Sequence, residues 1–208
     1  MKKVLSIIII CFLTAFFLSS CTSTPAVSRV SPDSVVDLSG RWNDTDVRMV
    51  CDSLIRDCLS SSKVTQFIEE YTSRNRGKLP VAIVGNFRNE SSEHIDTSII
   101  TINMESAIVK SGKLDFVAGG STRQEIRSER QDQQIHASEA TAAALGYETG
   151  ANLILTGSVK SMVDRSGNTT VRSYFVNAEL TNIETNARLW IGNNNEIKKV
   201  IKQPNYRL

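Results

Sequence analysis

Leu79-Pro80-Val81-Ala82-Ile83-Val84-Gly85 decides how this chain folds. Four consecutive apolar residues between a proline and a glycine, without alternation, are the pattern of a strand covered on both faces. Such a strand lies inside a sheet, so its neighbours must supply helices. After a polar loop at residues 89–93, Asp96 is placed to cap a helix carrying Ile99, Ile100, Met104, Ala107 and Ile108. Ile95 and Ile100 form its staple and Gly112 its stop. Residues 114–118 then read as a short second strand, completing a β-α-β unit.

Upstream, Asn43 is a good N-cap, Asp44 and Asp46 sit in the first turn, and Trp42 and Val47 are spaced as a hydrophobic staple. Val47, Val50, Cys51, Leu54, Ile55 and Cys58 fall on one stripe, with Arg48, Asp52 and Arg56 on the other side. Ser60-Ser61-Ser62 interrupts, and Val64, Phe67, Ile68 and Tyr71 mark a second amphipathic helix ending before Gly77. Downstream, residues 122–134 form a helix polar all round, and Ser138 with Glu139 is expected to open an alanine-rich helix at 140–145. Residues 153–163 and 170–180 are long strand patterns joined at Arg165-Ser166-Gly167-Asn168, a hairpin signal. Residues 187–191 make a third strand of this meander. The expected fold is α/β (α+β mixed), a mixed sheet of about five strands flanked by helices, in one domain over residues 39–208.

Residues 1–20 differ in kind. Lys2 and Lys3 precede an apolar stretch at 4–18 with small residues after it, the pattern of a secretory signal. About 15 apolar residues fall short of the roughly 20 needed to span a bilayer, so the segment is read as removed. Leu18-Ser19-Ser20-Cys21 resembles the lipobox of bacterial lipoproteins. That resemblance implies cleavage before Cys21 and acylation of its thiol, often of its new amine as well. Two or more acyl chains hold a protein on a membrane durably where one does so only marginally. Thr22, in place of an aspartate, implies sorting to the outer membrane. Residues 22–38, with Pro25, Pro32 and several serines, read as a short flexible tether spanning at most about 60 Å.

Losing Lys2 and Lys3 leaves 22 basic against 22 acidic residues. A balanced chain has no bulk electrostatic reason to bind nucleic acid. Cys11 leaves with the signal and Cys21 takes the lipid. Cys51 and Cys58 lie seven residues apart on one helix, about 10.5 Å along its axis, too far for a disulfide. They read as small core hydrophobes.

The chain offers fragments of catalytic motifs without their context. Ser60-Ser61-Ser62-Lys63 fits S-x-x-K, Lys110-Ser111-Gly112 fits K-[ST]-G, and Ser166-Gly167-Asn168 fits S-x-N. That chemistry needs the serine at a buried helix start and K-[ST]-G on a strand beside it. Here the three fall on a helix joint, a helix end and a hairpin tip. His94 with Glu90, Glu93 and Asp96 matches no metal-ligand spacing, and there is no phosphate-binding glycine loop. No catalytic residue, metal or cofactor is expected. On the polar helix, Arg123, Arg127 and Arg130 line one side and Glu125, Glu129 and Asp132 the other. Opposed faces of this kind orient a charged partner, which makes the three arginines candidate partner-binding residues.

Asp37-Leu38-Ser39-Gly40-Arg41-Trp42-Asn43-Asp44, the run Arg88-Asn89-Glu90-Ser91-Ser92-Glu93-His94-Ile95-Asp96-Thr97 and Gln124-Glu125-Ile126-Arg127-Ser128-Glu129-Arg130 resemble the LpoB-type lipoprotein activators of penicillin-binding proteins. Ile183-Glu184-Thr185 and Leu189-Trp190-Ile191-Gly192 add to the resemblance. It implies a noncatalytic outer-membrane lipoprotein that binds a bifunctional peptidoglycan synthase and stimulates it, with a sandwich fold similar to the amino-terminal domain of TolB-like proteins. It implies no small-molecule substrate. Well-known members carry a long tether, and this one is short. The alternative is a secretion lipoprotein similar to the curli pore. Its lipid-facing hairpins would need an apolar outer face, whereas Thr156, Ser158, Lys160 and Arg172 suit water.

Overall fold

The computed structural model describes residues 27–32, 34–143 and 148–204, and Cys21 lies outside them. The chain divides into two units, Met1–Ser34 and Val35–Leu208. In the first, the described residues are exposed or nearly so, and the Ser34 amide donates to Ser31 O at 3.0 Å. In the second, the apolar run at 81–84 becomes β1 (Val81–Asn89), next to the edge of a mixed six-stranded sheet. Parallel neighbours flank it, β2 (Asp115–Phe116) on one side and β3 (Leu153–Ser166) on the other. The meander continues antiparallel through β4 (Thr169–Asn182) to β5 (Arg188–Asn194) and β6 (Lys198–Lys202). Gly167 and Asn168 alone separate β3 from β4, and Gly167 at φ 56 supplies the left-handed turn residue such a hairpin requires.

The sixth strand is a correction with a simple cause. β5 and β6 run along the same edge of β4, and the Tyr174 amide donates to Ile197 O at 2.9 Å between them. From Val176↔Asn194 to Ser173↔Lys198, β4 has one residue fewer than its partner, so the last strand breaks at a bulge. Five strand positions carry six strands. β6 also escapes sequence reading because two of its five residues break the expected pattern: Lys199 shares the inward face with Ile201, and Val200 is exposed between Lys198 and Lys202.

Four helices accompany the sheet: α1 (Asp44–Ser60), α2 (Ser62–Arg74), α3 (Thr97–Ser111) and α4 (Gly120–His136). α1 packs on α3, β4 and β5, and α3 on β1 and β2. Leu54, Ile100, Met104 and Ile108 close this layer over Leu155, Val159, Val176 and Leu180. Trp190 joins it from β5, its indole N–H donating to Asp57 Oδ2 at 2.8 Å. Ile83, on the far face of β1, is only half-buried. Val81 on that same face is buried, so the expectation of a strand covered on both faces holds fully on one side and in part on the other. The described part of the alanine-rich segment, residues 138–143, is a turn in place of a helix, and residues 144–147 lie outside the described set.

The segment before α1 is strapped across the end of the sheet. Asn43 and Asp46 form a reciprocal capping box, with the Asn43 amide donating to Asp46 Oδ2 at 2.9 Å and the Asp46 amide to Asn43 Oδ1 at 3.1 Å. Asp46 also receives Lys199 Nζ from β6 at 2.7 Å, and the same ammonium donates to Asp37 Oδ1 at 2.6 Å and Arg41 O at 2.9 Å. Lys199 and Asp46 side chains are 10% and 5% exposed. Gly40 turns at φ 65 over Ile201, which leaves no room for a β-carbon. A second clamp lies alongside. Glu93 accepts from Arg172, from Tyr174 Oη at 2.9 Å and from the Trp42 amide at 3.2 Å, while Trp42 meets Tyr174 edge to face at 5.3 Å.

Burial pushes the Asp46 carboxyl above its ordinary range, against the pull of Lys199. Burial also opposes the charge on Lys199, but its hydrogen bonds to Asp37 and Asp46 outweigh that and leave it raised. A raised lysine contributes stability that is complete at neutral pH and fades only as pH climbs through its folded pKa. Lys199→Met therefore strands a buried carboxylate, and the expected loss is about 3 kcal/mol at neutral pH. In urea melts repeated at acidic pH the loss should shrink, because Asp46 then takes up a proton and needs no cation. An equal loss at both would show that the ammonium charge is not what Asp46 requires.

Candidate functional site

α4 is the element that packing does not explain, since none of its residues is buried. Its sequence, GSTRQEIRSERQDQQIH, keeps one apolar contact residue, Ile126, near the middle. Arg123, Arg127 and Arg130 fall on one side, as the helical wheel requires, and that side turns toward the chain itself. Arg123 Nε donates to Ala118 O at 2.9 Å, just ahead of the helix. Arg127 grips Glu148 with two parallel hydrogen bonds, 2.9 Å to Oε1 and 3.1 Å to Oε2. Arg130 Nη1 lies 3.4 Å from the same Oε1, within ion-pair range but off the line of a hydrogen bond. The hydrogen bond from Arg127 holds the Glu148 carboxyl below the usual carboxylate range and raises Arg127 in turn. Between these groups lies a small cleft of about 230 Å³ bordered by Val117, Ile126 and Thr149.

The opposite side of α4 carries Gln124, Glu125, Ser128, Glu129 and Asp132 along an open surface. The helix thus presents an acidic outer face, with Arg127 and Arg130 converging on one glutamate beneath it and Arg123 alongside. Arg127 remains 51% exposed, and an ion pair this wet contributes little to stability. A partner carboxylate could take the place of Glu148 at little cost. The sheet offers a second surface. On the side away from α1 and α3, Met162, Phe175, Ile191 and Val200 are exposed among Lys160, Asn193 and Lys198.

The other singled-out residues do structural work. Asn89 organises the loop after β1, accepting from the Ser91 amide and donating to Glu93 O at 2.8 Å, and Asp96 caps α3 through the Ser98 amide at 3.0 Å. Glu90 pairs with Arg88 and Lys160, so its neighbours in sequence, Glu93 and His94, do not join it in a cluster. Among the described residues no group of His, Cys, Asp or Glu is arranged to hold a metal. The S-x-x-K lysine, Lys63, donates to Arg188 O at 3.1 Å, and Ser111 Oγ closes the end of α3 on Ile108 O at 2.7 Å. The roles of Glu93 and Lys199 were not legible, because each depends on partners about fifty or more positions away.

These observations define a class: a mixed α/β domain with a polar surface helix and an open face of its sheet. The chain belongs to the family described as the peptidoglycan-synthase activator LpoB, whose model matches residues 46–196. No curated protein sequence matches it. Among solved structures it is similar to the LpoB C-terminal domain from Salmonella enterica, at 18% identity and a TM-score of 0.32 over 65% of this chain and 96% of that one. The LpoB C-terminal domain from Escherichia coli follows at 16% and 0.35 over the same shares. Lipoprotein GNA1162 from Neisseria meningitidis stands at 16% and 0.39 over 61% and 88%. Superpositions this loose add nothing to the family match.

Burial pushes both Cys51 and Cys58 up to about 12, and the thiolate is the reactive form. Neither thiol should react with a maleimide in the native protein at mildly alkaline pH, and both should do so at once in guanidinium. Labelling of the native chain, read by intact mass, would show that α1 opens.

Proposed function

We propose that this chain is a lipoprotein of the periplasmic face of the outer membrane. Acyl groups on Cys21 anchor it, and its globular unit docks on a bifunctional peptidoglycan synthase and stimulates it without catalysis of its own. The observation that carries this reading is the family match, which spans most of the unit beginning at Val35. The lipobox-like Leu18-Ser19-Ser20-Cys21 supports the anchor, and the absence of aspartate after it supports the outer membrane. Residues 1–20 serve as signal and 21–38 as lipidated cysteine and tether. Because the globular unit begins at Val35, the free part of the tether is residues 22–34, which span at most about 47 Å fully extended.

α4 is the proposed docking element, with Arg123, Arg127 and Arg130 meeting acidic groups of the synthase. Its surface pairs are cheap to exchange, and it contributes no buried side chain to the core.

Two experiments test the reading. The amino-terminal peptide of the mature protein should carry acyl mass, and Cys21→Ser should release the protein from membranes on fractionation. An unmodified Cys21 in wild type would end the anchor. Separately, the triple change Arg123→Glu, Arg127→Glu, Arg130→Glu should abolish recovery of the synthase by in-cell crosslinking, with a melting temperature close to wild type. Glu148→Gln, which frees the arginines, should preserve recovery. If Glu148→Gln also loses the partner, the arginines serve only to fasten α4.

A further inference from the structure

The strap that carries Asp37 and Trp42 leaves a polar hollow where it crosses the β3–β4 hairpin. One lobe, about 570 Å³, lies between Ser39 and Arg41 on the strap and Arg165, Thr170 and Arg172 on the hairpin. Three arginines line it, and no carboxylate does. A second lobe of about 390 Å³ shares those three arginines and adds His94 and one acid, Glu93, already bound to Arg172 and Tyr174. The guanidiniums therefore stand where the two lobes meet, three positive charges against one negative.

Arg41 and Arg165 are exposed and have no ion-pair partner among the described residues. Their backbones are nevertheless fixed. Arg41 O accepts from Lys199, Gly40 is turned over Ile201, and Arg165 is paired with Thr170 in the hairpin ladder. Arg172 Nε–H and the Trp42 indole N–H, behind the second lobe, also lack acceptors, but both atoms are closed off from solvent and do not reach into it. A concentration of donors without acceptors, on a rigid frame, is what an oxyanion requires. The hollow is much larger than a single phosphate or carboxylate, so the group would arrive on a larger molecule.

We propose that this hollow binds an oxyanion-bearing ligand, with Arg41 and Arg165 as the exchangeable contacts and Arg172, held by Glu93, as the fixed one. It is independent of the docking surface on α4. Phosphate and carboxylate chemistry both satisfy it, and two probes distinguish them: inorganic pyrophosphate, and a phosphate-free muramyl tripeptide whose only anions are carboxylates. Calorimetric titrations would use the acylated mature protein in nonionic detergent at low salt, free of phosphate buffer.

At least one probe should bind saturably at one per chain. Arg41→Gln with Arg165→Gln should weaken that probe about tenfold or more without moving the melting temperature. Arg165→Gln alone should give part of the loss. Arg88→Gln, an exposed arginine on the other face of the sheet, should change nothing. Saturation by pyrophosphate alone assigns a phosphate ligand, and by the muramyl peptide alone a carboxylate one. The proposal is overturned if neither probe saturates at millimolar concentration, or if Arg88→Gln weakens binding as much as the paired change.

Discussion

Lys199 brings an ammonium ion to a place where water cannot satisfy it, and the position of the first dozen residues of the globular unit, Val35 to Asp46, follows from that. The charge needs carboxylates, and the two that reach it, Asp37 and Asp46, come from the far end of the chain. Asp46 is simultaneously the third residue of the capping box that starts α1. Starting the first helix and seating the last strand are thus one event. Removing either partner leaves the other buried and uncompensated, which costs more than the pair itself contributes. Glu93 repeats the logic one step across the sheet, tying the loop after β1 to Arg172 of β4 and to the backbone of Trp42.

Much of the scaffold was legible because it depends on local spacing. The capping box at Asn43, the stripe from Val47 to Cys58, the Asp96 cap, the strand at 81–84 and the hairpin at Gly167-Asn168 each declare themselves within a turn or two of chain. What failed to show was set by distant partners. β6 was invisible because a lysine, Lys199, stands inward beside Ile201 and a valine, Val200, stands outward between two lysines, which breaks the alternation over five residues. The short strand at 114–118 shrank to Asp115–Phe116, because only two residue pairs align with the β1 edge before the chain leaves it. The alanines after Ser138 have helix propensity, but their described part forms a turn, and Gln133 and Gln134 of α4 bond to Ala143 there.

The candidate surfaces were half legible. Periodicity alone puts Arg123, Arg127 and Arg130 on one side of α4, and the structure keeps them there. That this side faces Glu148, leaving the acids outward, depends on the path of the chain after the helix, which no local pattern encodes. The same holds for Arg41 and Arg165. They are unremarkable surface residues in sequence, brought together only because the strap crosses the hairpin. Motif fragments such as Ser60 to Lys63 show the converse: a correct local pattern on a helix joint gathers no chemistry around it.

The double role of Asp46 also governs when this protein can fold. A chain made amino end first delivers Asn43 and Asp46 early and Lys199 more than 150 residues later. Until then the carboxylate that should open α1 has no cation, and β4 lacks the neighbour that completes its edge. Contacts spanning some 150 residues close late and together, which slows maturation and lengthens the time in which apolar strands lie bare to chaperones and proteases. A nascent molecule cut short before residue 199 would hold Asp37 and Asp46 without the ammonium that fastens them and be recognisable as unfinished.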